Sequence, residues 1–160
     1  MEDKNLDITT EITETEEKMQ EDMNSTAKIS RYKKREQTFL IVFESLFSDT
    51  SVDEIADNFT DSTAQFYSDE AIKTAGVIQE MAAELDETIS AHLTKGWKIN
   101  RISRISLAVL RVAVYEILYL EEIPVSVSIN EAVELTKKYS VTEDASFVNG
   151  LLGSFVKGRE

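Results

Sequence analysis

Apolar residues recur at helical spacing along most of the chain, and each run stops at a cluster of polar or turn-forming residues. Phe39, Val42, Phe43, Leu46 and Phe47 follow one another at alternating intervals of three and one, which places them on one side of a helix. Ser30 offers a capping hydroxyl ahead of them, so the pattern predicts a first helix over about 31–47. Residues 49–51 interrupt it, and Val52, Ile55, Ala56 and Phe59 mark a short second helix. Ser68 caps a third, long helix whose stripe is Ile78, Met81, Ala82, Leu85 and Ile89; it continues to Leu93 and ends at Gly96.

Beyond Gly96 the apolar pattern becomes denser. Residues 105–120 are apolar almost all round, broken only by Ser106, Arg111 and Glu116, and a helix of that kind is enclosed by other helices. Pro124 closes the next turn. Ser128-Ile129-Asn130-Glu131 has the capping-box form near the start of a further helix, whose inner face carries Ala132, Val133, Thr136 and Tyr139. A last helix from about Thr142 presents Val148, Leu151, Leu152 and Phe155. The stretch 124–129 is the one ambiguous candidate for a strand, and no internal repeat is visible. The expected fold is all-α, a compact bundle of about seven helices in two three-helix-type halves that meet around the 105–120 helix.

The first 27 residues differ from all of this. They lack Phe, Tyr and Trp and alternate acids with Thr, Asn and Ser, a composition that cannot bury enough surface to order itself. Ile8, Ile12, Met19 and Met23 form at most a weak stripe. The organisation expected is a disordered acidic tail over 1–28 followed by one helical domain over 29–160.

Charge sharpens that division. The chain of 160 residues carries a net charge of −13, which by itself argues against a polyanionic partner. Nine acids against Lys4 and Lys18 concentrate the negative charge in the tail. Immediately after it come Lys28, Arg31, Lys33, Lys34 and Arg35, with no acid until Glu36. A second acid-free stretch holds Lys95, Lys98, Arg101, Arg104 and Arg111. An acidic chain thus carries a basic face. Cysteine is absent, which excludes disulfides and thiol chemistry. No apolar run approaches the ~20 residues that span a bilayer, and the acidic N-terminus has no signal-peptide layout. A cytoplasmic setting is the expectation.

Catalytic signatures are missing, and no catalytic residue, cofactor or metal is expected. His92, the single histidine, falls at the edge of the third helix's stripe and reads as structural. The acid pairs Glu121-Glu122 and Glu143-Asp144 sit at helix ends, where solvation and the helix dipole account for them. The basic clusters say more. Arg31, Lys34 and Arg35 share one side of a helix's first turn, where cations oppose the macrodipole; phosphate contact is one reason for such placement, a simple solvated start is the other. Tyr32 beside them has the face to stack on an unpaired base. Arg104 and Arg111 share a face, and for Arg111, inside an apolar helix, pairing with an acid of a neighbouring helix is favoured. Phe147 lies about a quarter-turn from the buried stripe of the last helix, beside Ser146 and Gly150, which fits either an approaching partner or edge packing.

The string Arg104-Ile105-Ser106-Leu107-Ala108-Val109-Leu110-Arg111-Val112-Ala113-Val114-Tyr115-Glu116 resembles a family pattern, RIDRAILRLAVYE. It is followed in order by Ile123-Pro124, Ile129-Asn130-Glu131-Ala132-Val133-Glu134-Leu135 and Phe147-Val148-Asn149-Gly150-Leu151-Leu152. Those segments resemble NusB, the bacterial transcription antitermination family, over about 29–156. The resemblance implies single-stranded boxA-like RNA of ribosomal RNA transcripts as ligand, the ribosomal protein NusE as partner, and entry into the RNA polymerase elongation complex. It implies RNA contacts at Arg31, Lys33, Lys34 and Arg35, and at Asp144, Phe147 and Asn149; Arg101 and Arg104 join this expected set from the second basic stretch. It implies a partner surface at Phe43 and at the start of the central helix, where Ser106 stands in place of the family's usual acid. Ser146 and Leu40 also depart from the pattern. A similar domain begins certain ribosomal-RNA cytosine methyltransferases, but no Gly-rich nucleotide motif occurs in these residues. The competing expectation is a non-catalytic protein-binding module, or a homodimer, without RNA binding.

Overall fold

The computed structural model describes the backbone of residues 3–159 and the side chains of residues 10–20 and 31–159. Among these are seven α-helices: α1 (Asp3–Ser45), α2 (Val52–Thr63), α3 (Asp69–Glu80), α4 (Ala82–Ala91), α5 (Arg104–Tyr119), α6 (Val125–Tyr139) and α7 (Thr142–Lys157), with a 3-10 turn at Ile99–Arg101 before α5. No strand occurs among the described residues, and the ambiguous stretch 124–129 is the first turn of α6. The chain divides into two units, Met1–Lys34 and Arg35–Glu160.

In the first unit the backbone is helical from Asp3, where the sequence reading expects a disordered tail to residue 28 and a helix start near 31. No Gly or Pro occurs before Gly76, so nothing interrupts the helix at Ser30. Residues 10–20 are all exposed, Ile12 and Met19 included; Ile8 and Met23 lie outside the residues whose side chains are described. A helical stretch such as 10–20, whose apolar residues stay exposed, lies close to the coil in free energy.

The second unit holds the bundle. Ser51 and Ser68 cap α2 and α3, their hydroxyls accepting from the Glu54 and Ala71 N–H groups at 3.2 Å each, with acids in both first turns where the dipole favours them. Left-handed Ala64 (φ 57°) ends α2. The predicted long third helix is two, divided at Met81, although Met81 N–H still donates to Val77 O and Leu85 N–H to Met81 O, both at 3.0 Å. Ile78, Leu85 and Ile89, on either side of the division, are all buried. Helix α5 packs against α3, α4, α6 and α7, as its all-round apolar sequence requires. It buries Ala108, Val109, Leu110, Val112, Ala113, Val114 and Ile117. Phe39, Ile41 and Val42 of α1 and Val148, Leu151, Leu152 and Phe155 of α7 complete the same core.

Polar residues inside the bundle are matched. Glu116 is buried; its Oε1 accepts from Arg35 Nε at 2.7 Å and its Oε2 from the Ser128 hydroxyl at 2.7 Å. Ser128 therefore does not cap α6, which begins three residues earlier behind Pro124; it is a buried donor to α5. Arg111 grips Asp86 of α4 with Nε and Nη2, at 2.7 and 2.6 Å, the structural pairing its sequence context favours. No buried side-chain nitrogen or oxygen among the described residues lacks a partner.

Candidate nucleic-acid interface

The expected RNA-binding residues do not share one environment. Arg31 and Lys33 are exposed and Tyr32 is 40% exposed, all within the unit Met1–Lys34. Lys34, in the same unit, is half-buried. Arg35 begins the bundle, and its head group is committed to Glu116, with Glu131 at 4.0 Å beyond. Only 11% of its side chain remains exposed.

The start of α5 gathers a second group. Ser103 caps the helix, its oxygen accepting from the Ser106 N–H at 3.1 Å, and its hydroxyl donates to Asp144 Oδ2 at 2.9 Å. The Ser140 hydroxyl donates to the same carboxylate oxygen. Asp144 thus fastens the first turn of α7 to that of α5. Ser106 is wholly buried, 2.9 Å from Ser103 Oγ. The residue expected to meet a protein partner thus keeps its short hydroxyl at the cap of α5, inside the bundle. Arg101 is exposed at the end of the 3-10 turn. Arg104 is also exposed and holds its guanidinium 4.5 Å from the centre of the Phe47 ring, a cation–π arrangement.

Phe43, the expected partner residue, is half-buried in an aromatic row, 6.1 Å from Phe39 and 5.0 Å from Phe47 between ring centres. Phe47, which helical spacing assigns to the core, is 56% exposed. Helix α1 ends at Ser45, so Phe47 leaves the helical stripe before it can be buried. It extends the row to the surface, under Arg104.

On α7 the two expected contacts part company. Phe147 is half-buried and packs on the core, while Asn149 is exposed. Two residues apart on a helix, they point about 200° from each other, so no single face of α7 displays both. Gly150 offers no close approach within the chain, since a Cβ there meets nothing within 4 Å. His92 packs edge-on to Phe155 at 5.5 Å between ring centres, with Nδ1 3.4 Å from Ser154 Oγ; it belongs to the α4–α7 packing. Among the described residues no cluster of acids and histidine suits a metal ion, and no helix is long and apolar enough to cross a membrane.

Trp97 is a surface residue the sequence reading passes over. It is 58% exposed between Lys95 and Lys98, and its place inside an acid-free basic stretch was the signal available to find it.

The sequence pattern of the NusB family matches residues 32–157. The transcription antitermination protein NusB of Agathobacter rectalis is 45% identical over 136 residues, covering 79% of this chain and 99% of that protein. A structure of NusB from T. maritima is 32% identical with a TM-score of 0.67, covering 79% of this chain and 90% of its own. A crystal structure of the antitermination factors NusB and NusE in complex with dsRNA shares the fold at 23% identity and TM-score 0.67, covering 80% of this chain and 96% of its own. With its buried stripes, its capped central helix and its Phe-Val-Asn-Gly segment in family order, the chain belongs to the NusB family.

Proposed function

We propose that this chain is a non-catalytic transcription antitermination factor of the cytoplasm. It binds boxA-like single-stranded RNA of ribosomal RNA transcripts together with the ribosomal protein NusE, and with it joins the RNA polymerase elongation complex. The observation that carries the reading is the acid-free run 28–35, in which Arg31, Tyr32 and Lys33 are exposed, in a chain that shares its fold with a structure of NusB and NusE in complex with dsRNA. Exposed cations beside an exposed aromatic suit a flexible single strand: the cations take phosphates and the ring takes an unpaired base. Asp144 and Asn149 supply hydrogen-bonding groups for base edges; Phe43, Phe47 and Arg104 form the surface offered to NusE.

Arg35 has a different part in this proposal. Its charge is spent on Glu116, so it anchors the bundle end of α1, and Arg31, Lys33 and Lys34 carry the phosphate contacts. Those three contacts contribute about −2 to the slope of log K against log salt, from ~0.7 each. The double variant Arg31→Glu/Lys33→Glu, which leaves the Arg35 pair intact, is expected to weaken binding and to flatten the slope by about 1.4. Titration of single-stranded and duplex boxA-like RNA, with and without NusE, tests it. A slope unchanged in the double variant overturns the assignment. Capture of NusE without any RNA binding favours the protein-binding module instead.

A further inference from the structure

We propose that the loop between α4 and α5 is a second RNA contact, in which the Trp97 indole stacks on an unpaired base and Lys98 and Arg101 bind the flanking phosphates. The inference rests on the RNA-binding reading above and adds to it a site remote in sequence from the basic helix.

The loop is built rather than slack. Gly96 turns the chain at φ +91°, a conformation that disfavours any other residue. Trp97 N–H donates to Thr94 O and Arg101 N–H to Lys98 O, both at 2.9 Å. Ile99 and Ile102 pack against the core and hold the 3-10 turn to the bundle. The anchoring isoleucines point inward, and Trp97, Lys98, Asn100 and Arg101 line an open cleft of about 520 Å³ with Gly96. A large aromatic face left in water on a pinned loop forfeits the burial that a tryptophan ordinarily gains.

The electrostatics select the ligand. No Asp or Glu occurs between Glu87 and Glu116, and Lys95, Lys98 and Arg101 take no part in the ion pairs of the described residues. An aromatic plane flanked by uncompensated cations is the arrangement that holds single-stranded nucleic acid: every base has a π-face, and each nucleotide brings one negative charge. The Asn100 amide adds a donor and an acceptor for a base edge. The loop also leads to the start of α7, because Ser103, just past the turn, is bonded to Asp144. A strand lying in the cleft therefore continues toward residues already proposed to meet RNA.

Trp97 is the chain's only tryptophan, so its emission reports this loop alone. The test uses the full-length protein with a fluorescently labelled boxA-like single strand. Anisotropy of the label measures affinity and tryptophan emission measures stacking. Emission should be quenched in step with the anisotropy. Trp97→Ala should weaken binding about five- to 150-fold, the equivalent of a stack worth ~1–3 kcal/mol, and Trp97→Phe should retain most of the affinity. Unfolding midpoints of both variants should match the parent, since the side chain is mostly exposed.

Binding of the strand with emission and Trp97→Ala affinity both unchanged overturns this site and leaves the RNA-binding reading intact. No binding by anisotropy, with or without NusE, overturns that reading and this site with it. Emission that responds to NusE but not to RNA assigns the loop to protein contact and likewise overturns the proposal.

Discussion

Arg35 and Glu116 stand 81 residues apart in sequence and 2.7 Å apart in the bundle, with 11% and 8% of their side chains exposed. The Ser128 hydroxyl takes the other carboxylate oxygen, so α1, α5 and α6 meet at one buried charge. Removing Glu116 leaves the buried Arg35 with only the longer contact to Glu131, at 4.0 Å. Glu116→Ala is expected to cost about 3–5 kcal/mol of folding stability, and Ser128→Ala about 1.5–3 kcal/mol for one hydrogen bond to a charged group. Denaturant unfolding measures both. A loss under about 1 kcal/mol for Glu116→Ala is the behaviour of a surface pair and contradicts this role.

Phe147 and Asn149 are separable by substitution because they occupy opposite flanks of α7. Phe147→Ala removes a half-buried ring and should cost about 1–2 kcal/mol of stability, below the ~3–5 kcal/mol of a fully buried phenylalanine. If it stacks on RNA it should also lose about 1–3 kcal/mol of binding. Asn149→Ala should leave stability within about 0.5 kcal/mol. Unfolding curves paired with RNA titrations resolve the two effects. Normal binding by folded Phe147→Ala protein would reduce that residue to packing.

Tyr67 gives the fold a dependence on alkaline pH. Burial first, then the negative charge of Glu44 and the phenol of Tyr139, raise its pKa from 10.0 to about 12. Between those values the native protein keeps a proton that the unfolded chain has lost. Stability from this group is thus complete below pH 10 and declines as pH rises toward about 12. Phenolate absorbance should show Tyr67 titrating late, in a signal that Tyr67→Phe removes, and Tyr67→Phe should flatten the decline in unfolding free energy over that interval.

The residues buried in the described core begin at Thr38. We therefore expect deletion of residues 1–28 to leave both the midpoint and the denaturant dependence of unfolding unchanged, since the slope follows the surface exposed. A lower midpoint for the truncated chain would mean that the acidic segment buries surface against the bundle.

What the sequence made legible was periodic. Ile78, Leu85 and Ile89, or Val148, Leu151, Leu152 and Phe155, announce their helices because burial repeats with the turn. The all-round apolar run of α5 likewise announces a central helix. Pairings between distant residues leave no periodic trace. Nothing local to Arg35 distinguishes it from Arg31 or Lys33, and only the fold brings Glu116 to it. Ser128 sits in a capping-box string, yet Pro124 starts the helix earlier and turns the serine inward. Phe47 has helical spacing and no helix, because α1 stops two residues before it. The division at Met81 has no breaker residue at that position, and nothing in the structure explains it.

The Asp144 carboxylate lies in the first turn of α7 and also receives the hydroxyl of the serine that begins α5. Two helix dipoles therefore present their positive ends to one fixed negative charge. An incoming phosphate finds both of those ends already answered and meets a like charge besides. On the RNA-binding reading proposed above, a strand at this corner of the molecule is expected edge-first, offering Asp144 the amino hydrogens of a base and turning its backbone toward arginine and lysine elsewhere.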